Sequence, residues 1–225
     1  MLKKYLQEGC TVKVIGDSLA AGSGSSGMVQ TGELVFADAI GAYYRREAPR
    51  SWWGLLQKYL RERYPKSRVE NRGCGGAFSC QIAEQLPRLV SQEDKAVFLL
   101  VGLNDRKRPD GMEELARNIR ALLDRLAKMG KYTVLLTPTP STEENEHFPS
   151  RLHHTPQVVE ILREAAGKAR VPLVDLYGDT QAYLQANGLI IDDIIFGEGC
   201  KNDGLHPGDF LQKLMFESVV KTLGI

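Results

Sequence analysis

The sequence has few cysteines, no long apolar run and almost no net charge. Its cysteines are scattered and form no C-x-x-C pair, so a disulfide scaffold is not expected and free thiols are. They are Cys10, Cys74, Cys80 and Cys200. No segment reaches the roughly 18 consecutive apolar residues of a membrane span, and no stretch resembling a signal peptide precedes the first apolar run. We therefore expect a cytoplasmic protein with no membrane partner.

The charges of the 225-residue chain balance, because 29 Lys and Arg residues stand against 28 Asp and Glu residues. A net charge of +1 creates no overall field that would attract a polyanion, so we expect no nucleic-acid partner. A composition of 43% hydrophobic and 25% charged residues is typical of a globular chain. At this length we expect a single domain over residues 1–225.

Apolar runs of strand length alternate with segments of helical periodicity. The predicted strands cover residues 11–15, 68–71, 96–101, 133–137 and 172–176. The predicted helices cover residues 52–64, 80–90, 112–129, 156–169 and 210–223. Several of the strand runs are continuously apolar, which indicates strands buried on both faces of a parallel sheet. Repeated strand-to-helix crossovers then predict a three-layer α/β/α sandwich around a central five-stranded parallel sheet.

Two stretches interrupt this alternation. Residues 23–50 form a hairpin-like insertion after the first strand, because they separate it from its helix by far more than a usual connection. The aromatic residues Phe36, Tyr43 and Tyr44 lie there, and a platform for an acyl group or sugar, a lid and an interface of a homo-oligomer all stay open. Residues 137–155 contain three prolines and an acidic run, which predicts a long solvated loop.

Four polar clusters lie after predicted strands or before the last predicted helix. They are Gly16-Asp17-Ser18-Leu19, the block Asn71-Arg72-Gly73-Cys74-Gly75-Gly76, Gly102-Leu103-Asn104-Asp105, and Asp203-Gly204-Leu205-His206-Pro207. In open parallel α/β sheets, ligands bind outside the carboxyl ends of the strands. The clusters are therefore expected to share one functional crevice.

Together the clusters supply the groups that acyl transfer needs. Ser18 is the predicted nucleophile, His206 the general base and then acid, and Asp203 the carboxylate that orients His206. The predicted oxyanion donors are the Ser18 backbone N–H, the Gly76 N–H and the Asn104 side-chain amide. Asp17 is expected to fix the nucleophile loop, and residues that bind the substrate cannot be assigned from the sequence.

These blocks resemble those of the SGNH (GDSL) hydrolase family, whose four signature residues match Ser18, Gly76, Asn104 and His206 in the same order. The resemblance spans residues 12–208 and places Asp203 in the position of the triad acid. It implies a flavodoxin-like α/β/α fold and ester hydrolysis that needs no metal and no cofactor. The second block departs from the pattern, because Ala77 follows Gly76 where many members have Asp. Gly73 and Gly75 therefore stay alternatives to Gly76.

Two other motifs carry little weight. Residues 22–27 fit G-x-G-x-x-G, but the match begins six residues after Gly16 and does not open a helix, so nucleotide binding is not expected. Three histidines, His147, His153 and His154, lie near an acidic run without the spacing of a zinc site.

The sequence therefore predicts a serine esterase that acts on a small-molecule ester through an acyl-enzyme. Short acyl groups, including acetyl groups on carbohydrate, are the favoured substrates. An acyltransferase that uses the same site is the alternative. A binding module without catalysis is less favoured, because a binder needs neither a nucleophile nor a base.

Overall fold

The computed structural model describes residues 1–197 and 202–225, so Cys200 lies outside the described residues. Its strands, in chain order, are β1 (Thr11–Gly16), β2 (Val29–Ala37), β3 (Ala42–Glu47), β4 (Arg68–Gly73), β5 (Ala96–Leu100), β6 (Tyr132–Leu136) and β7 (Leu173–Val174). Five of them form a parallel sheet in the order β4-β1-β5-β6-β7. The expected α/β fold class is confirmed.

The helices lie on both faces of this sheet. They are α1 (Leu2–Glu8), α2 (Trp52–Arg63), α3 (Ser79–Leu89), α4 (Gly111–Lys128), α5 (Glu143–Glu146), α6 (Thr155–Ala169), α7 (Leu176–Asn187), α8 (Asp192–Ile195) and α9 (Asp209–Leu223). Alternate residues of the central strand β5 point to opposite faces. Phe98 packs with residues of α1, α2 and α9, whereas Val97 and Leu99 pack with residues of α3, α4 and α6. This gives the three layers.

The last strand is shorter than predicted. Only Leu173 and Val174 pair with β6, although the pattern indicated residues 172–176. Asp175 ends the strand because its side chain accepts a hydrogen bond from the Gly178 N–H and caps α7. The predicted strand therefore ran into the start of a helix that the periodicity had not indicated.

The insertion contains an antiparallel pair, β2 and β3, that is separate from the central sheet. The rings of Phe36 and Tyr43 are buried with their centroids 4.6 Å apart, and they belong to the core cluster on the α3 side of the sheet. The Gln81 side chain of α3 donates hydrogen bonds to Asp38 Oδ2 and to the Tyr43 hydroxyl, at 2.6 and 2.9 Å. Phe36 and Tyr43 therefore stabilise the attachment of the insertion. Self-association through this segment stays a prediction.

The prediction of a solvated loop over residues 137–155 is wrong for its first part. Residues 137–142 are buried, and Thr142 caps the short helix α5 by accepting a hydrogen bond from the Asn145 N–H. The segment is held in place by a residue distant in the sequence, because the buried Arg106 guanidinium pairs with Glu146 at 3.0 Å. A buried cation needs a partner, and that partner anchors the segment.

Within the described ranges, no helix is both long enough and apolar enough to cross a bilayer. The cytoplasmic location stays a prediction.

Candidate active site

Ser18 lies in a tight turn at the carboxyl end of β1. The turn needs glycine at position 16, because its φ is 139° and a Cβ there would lie 1.7 Å from the Leu100 carbonyl oxygen. The next residue, Asp17, donates its N–H to the same Leu100 oxygen at 3.0 Å. The chain therefore leaves β1 close against β5. Ser18 lies at the carboxyl ends of the sheet strands and is only 8% exposed.

The structure brings Ser18, His206 and Asp203 together, although up to 188 residues separate them. His206 Nε2 lies 2.8 Å from Ser18 Oγ, and His206 Nδ1 lies 2.6 Å from Asp203 Oδ2. A carboxylate can only accept hydrogen bonds, so Nδ1 carries the ring proton and Nε2 is left to accept the proton of Ser18. This arrangement can activate a serine hydroxyl.

The Asp203 carboxylate also accepts the N–H groups of Leu205 and His206. Partial burial alone would raise the pKa of Asp203, but the hydrogen bonds from the His206 ring and from these two N–H groups outweigh it. They hold the pKa of Asp203 well below its usual range. Asp203 is therefore ionised at neutral pH and fixes the orientation of the imidazole.

Helix α5 and its cap hold the loop that carries Asp203. The Asn145 side chain donates to the Asp203 carbonyl at 2.9 Å, and the Thr142 N–H donates to the Gly204 carbonyl at 2.9 Å. Gln212 of α9 links this loop to the nucleophile loop, because its amide donates to the carbonyls of Ser23 and Pro207. Sequence reasoning missed Asn145 and Gln212, since neither lies within a recognisable motif.

The second glycine block narrows the choice of oxyanion donor. The N–H of Gly73 donates to Asn71 Oδ1, and the N–H groups of Cys74 and Ala77 donate to backbone carbonyls. Within the described chain, the N–H groups of Gly75 and Gly76 have no such partner. Gly76 has φ of 88°, and the space beside its Cα is open. Its N–H is therefore available to a ligand, as is that of Ser18.

The face of Gly75 is occupied by a residue of the insertion. A Cβ on Gly75 would lie 2.9 Å from Arg46 Nη2, and Arg46 Nη1 donates to the Ser23 hydroxyl at 2.9 Å. Arg46 of β3 therefore braces the glycine block against the nucleophile loop. No sequence signal could have found it, because Arg46 and Gly75 belong to segments whose contact depends on the fold of the insertion.

Asn104 follows β5 and is 6% exposed. Its Nδ2 donates to the Ala77 carbonyl at 3.0 Å, which ties the third block to the second. Its Oδ1 accepts from Lys107 Nζ at 2.8 Å. An amide nitrogen has two hydrogens, so one of them stays available beside the glycine block.

Asp17 is fully buried, whereas the carboxylate that bonds to the His206 ring is that of Asp203. Asp17 Oδ1 accepts the Leu19 N–H at 2.9 Å, which fixes the turn that carries Ser18. Burial raises the pKa of Asp17 to about 7, and the nearby Asp105 carboxylate adds to this rise. Asp17 therefore stabilises the turn that carries Ser18, whereas Asp203 is the carboxylate that bonds to His206.

The three histidines outside the triad, and the Cys74 thiol, lie in ordinary surroundings. His147 pairs with Glu143 and His154 with Glu146, whereas His153 contacts backbone carbonyls. Over residues 1–197 and 202–225, no three His, Cys, Asp or Glu side chains are grouped so that they could hold a metal ion. Burial raises the pKa of the Cys74 thiol to about 12, which argues against a nucleophilic role for this neighbour of the glycine block.

The comparisons with known proteins identify a family for the chain. Residues 14–213 match the GDSL-like lipase/acylhydrolase family. No curated protein matches the chain at a significant level.

Solved structures share the fold over nearly their whole length. LAE5, described as an alpha/beta hydrolase enzyme from the metagenome of Lake Arreo, Spain, has a TM-score of 0.70 and 23% identity, covering 96% of this chain and 95% of that one. Axe2, an acetylxylan esterase from Geobacillus stearothermophilus, has a TM-score of 0.70 and 20% identity with the same coverage. The resemblance that the signature blocks indicated is confirmed. The chain belongs to the GDSL-like lipase/acylhydrolase family and is a carboxylic ester hydrolase.

Proposed function

We propose that the protein is a serine esterase that hydrolyses carboxylic esters through an acyl-enzyme on Ser18. The observation that carries the proposal is the unbroken hydrogen-bond chain from Ser18 Oγ through the His206 ring to Asp203. The ionised Asp203 can only accept the proton on Nδ1, which leaves Nε2 of His206 to accept the proton of Ser18.

In the first half of the reaction, Ser18 Oγ attacks the acyl carbon and its proton moves to His206 Nε2. The tetrahedral intermediate then collapses, the bond to the alcohol oxygen breaks, and His206 gives its proton to that oxygen. In the second half, a water molecule attacks the acyl-enzyme and gives its proton to Nε2. Collapse of the second intermediate returns the proton to Ser18 Oγ and releases the carboxylic acid.

The negative charge of each intermediate needs donors. We assign them to the Ser18 N–H, the Gly76 N–H and the remaining Nδ2 hydrogen of Asn104, all of which lack another acceptor in the described chain. Loss of one such donor typically costs about 3 kcal/mol of transition-state stabilisation. Asn104→Ala is therefore expected to lower kcat by about 10²-fold.

We propose short acyl groups, acetyl groups on carbohydrate among them, as the substrate class. The support is the likeness to Axe2, which is described as an acetylxylan esterase and covers almost the same length of chain. Turnover of p-nitrophenyl esters of increasing chain length, measured beside acetylated xylooligosaccharides, tests this assignment. We expect acetyl esters to react fastest, and a maximum at long acyl chains would contradict the substrate class.

The catalytic role of Ser18 is tested with Ser18→Ala and a fluorophosphonate probe. We expect the probe to label the native chain at Ser18, and the variant to lose both labelling and turnover of p-nitrophenyl acetate. Ser150→Ala, at an exposed serine, is the matched control and should keep both. Wild-type turnover by Ser18→Ala would refute the proposal.

Loss of His206 is expected to lower kcat more than loss of Asp203. His206→Ala removes the proton carrier, whereas Asp203→Ala removes only the group that orients it, and water can partly replace that group. Both variants should lower kcat, with the smaller loss in Asp203→Ala. Equal turnover by Asp203→Ala and the native enzyme would remove Asp203 from the triad.

A further inference from the structure

Lys107 lies in direct contact with one of the proposed oxyanion donors. It ends the short 3-10 turn Asp105–Lys107 that follows Asn104, and its Nζ donates to Asn104 Oδ1 at 2.8 Å. Neither the signature blocks nor the triad includes this lysine. Its ammonium lies behind the amide group whose other end is available to the reacting ester.

The two ends of the Asn104 amide are held by partners of opposite character. An ammonium can only donate and a backbone carbonyl can only accept, so Lys107 selects the oxygen and the Ala77 carbonyl selects the nitrogen. Rotation of the amide by 180° would put the carbonyl group against Ala77 and the NH₂ against an ammonium. The pair therefore holds the amide with its nitrogen on the side of Ala77 and the glycine block.

The ammonium also changes the donor strength of the amide. A cation on the carbonyl oxygen draws electron density from the nitrogen, which makes the remaining N–H a stronger donor. Lys107 is an exposed residue, so water screens its charge at a distance and the effect on Asn104 comes through the direct hydrogen bond.

The charged groups that act electrostatically on Lys107 come from three segments. They are Arg106 of the same turn, Arg151 after α5, and Asp17 of the nucleophile loop. Burial lowers the pKa of Lys107, and the charges of Arg151 and Arg106 lower it further, while Asp17 has the opposite effect. The ammonium therefore loses its proton at a lower pH than an ordinary lysine.

We propose that Lys107 is a positioning residue for ester hydrolysis: it holds the Asn104 amide in the orientation that stabilises the oxyanion and strengthens its N–H as a donor. This inference rests on the proposed function of Ser18. It assigns a role in the reaction to a residue that touches no reacting atom.

The first test compares Lys107→Met with the native enzyme on p-nitrophenyl acetate. We expect kcat to fall by about 3- to 30-fold with KM within twofold, a smaller loss than the about 10²- to 10³-fold typical of deleting a donor outright. Lys128→Met, at an exposed lysine at the end of α4, is the matched control and should keep native kcat. Native kcat in a folded Lys107→Met would overturn the inference.

A double-mutant cycle separates this role from a general effect on structure. If Lys107 acts through Asn104, then Lys107→Met should cost less than twofold when it is added to Asn104→Ala. Full additivity of the two losses would overturn the inference. Ser18→Ala is measured beside them, because native turnover in that variant refutes the proposed function itself and not the role of Lys107 alone.

The charge is tested with Lys107→Arg, which also remains informative if Lys107→Met does not fold. We expect the native kcat to decline on the alkaline side as Lys107 loses its proton. A guanidinium stays protonated throughout that range, so Lys107→Arg should keep at least a third of native kcat at neutral pH and lose the alkaline decline. An alkaline decline that is unchanged in Lys107→Arg would overturn the electrostatic part of the inference.

Discussion

At the residue scale, the turn that carries Ser18 contains a buried carboxyl group whose hydrogen bonds do not outweigh the cost of burying its charge. Asp17 is fully buried, its Oδ2 has no hydrogen-bond partner in the described chain, and its pKa is raised to about 7. The unfolded chain releases this proton near the ordinary aspartate pKa of about 3.9. Asp17 therefore does not lower the free energy of unfolding below pH 4. Its contribution makes that free energy fall as pH rises from 4 to about 7, and the fall levels off above pH 7.

Asp17→Asn is expected to remove this pH dependence. The amide oxygen can still accept the Leu19 N–H, and no charge has to be buried. The unfolding free energy of Asp17→Asn minus that of the native chain should increase by about 4 kcal/mol between pH 4 and pH 8. Urea denaturation at several pH values measures it. Parallel profiles for the two proteins would show that Asp17 does not titrate in the folded state.

The prediction uses the difference in unfolding free energy between Asp17→Asn and the native chain, because other carboxyl groups titrate as well. Hydrogen bonds from Ser141 and Thr155, together with Arg106, hold the pKa of Glu146 below its ordinary value in spite of its burial. Glu146 and Asp203 therefore stabilise the fold above pH 4 and lose that contribution in acid. Both effects are common to the native chain and Asp17→Asn and cancel in the comparison.

At the element scale, helix α5 has only four residues and no stability of its own. It is held by Glu146, whose carboxylate accepts from Ser141, Thr155 and the fully buried Arg106. Because the same helix carries Asn145, this network also fixes the loop of Asp203. A buried pair 40 residues apart thus connects the turn after Asn104 to the loop of Asp203.

Glu146→Ala should destabilise the protein by about 3–5 kcal/mol, because it leaves the Arg106 guanidinium buried without its counter-charge. Glu144→Ala on the same helix is the matched control. Glu144 is exposed, so its loss should change the unfolding free energy by no more than about 0.5 kcal/mol. Urea denaturation of both variants tests the prediction. Equal midpoints would mean that Arg106 does not depend on Glu146.

Elements with a local hydrophobic pattern could be predicted from the sequence, whereas the network around Glu146 could not. The strands β5 and β6 could be predicted because residues buried on both faces leave a continuous apolar run, and the helices α2, α3, α4, α6 and α9 because one face is apolar. Helix α1 has only two buried residues, Leu2 and Leu6, which is too short a pattern to recognise. The charges around Glu146 indicated a solvated segment, since its partner Arg106 is identified only by the fold.

The candidate site was more predictable than its support. Ser18, Asn104, Asp203 and His206 follow strand ends or precede a helix, so local sequence identifies both the residue type and the place. Arg46, Gln212 and Lys107 carry no comparable signal, because their contacts depend on how separate segments approach each other. Lys107 lies only three residues after Asn104, yet its hydrogen bond depends on the geometry of the turn between them.

At the scale of the whole molecule, the insertion shares its core with the central sheet. Phe36 and Tyr43 of the hairpin belong to the same buried cluster as Val97 and Leu99 of β5. On the other face of that strand, Phe98 packs in the cluster that contains Trp52 and Trp53. We therefore expect the hairpin, the sheet and both helix layers to unfold as one cooperative unit, as a single domain should.

Phe36→Ala tests this coupling, because it removes a buried ring in one layer while the tryptophans report on the other. We expect a loss of about 3–5 kcal/mol, seen as the same shift of the urea midpoint in tryptophan fluorescence and in far-UV circular dichroism. Leu34→Ala on the same strand is the control, since Leu34 is 50% exposed and its loss should shift neither midpoint measurably. If Phe36→Ala left the tryptophan transition unchanged, the insertion would be an independent unit, and a shared core could not explain how Arg46 is held against the glycine block.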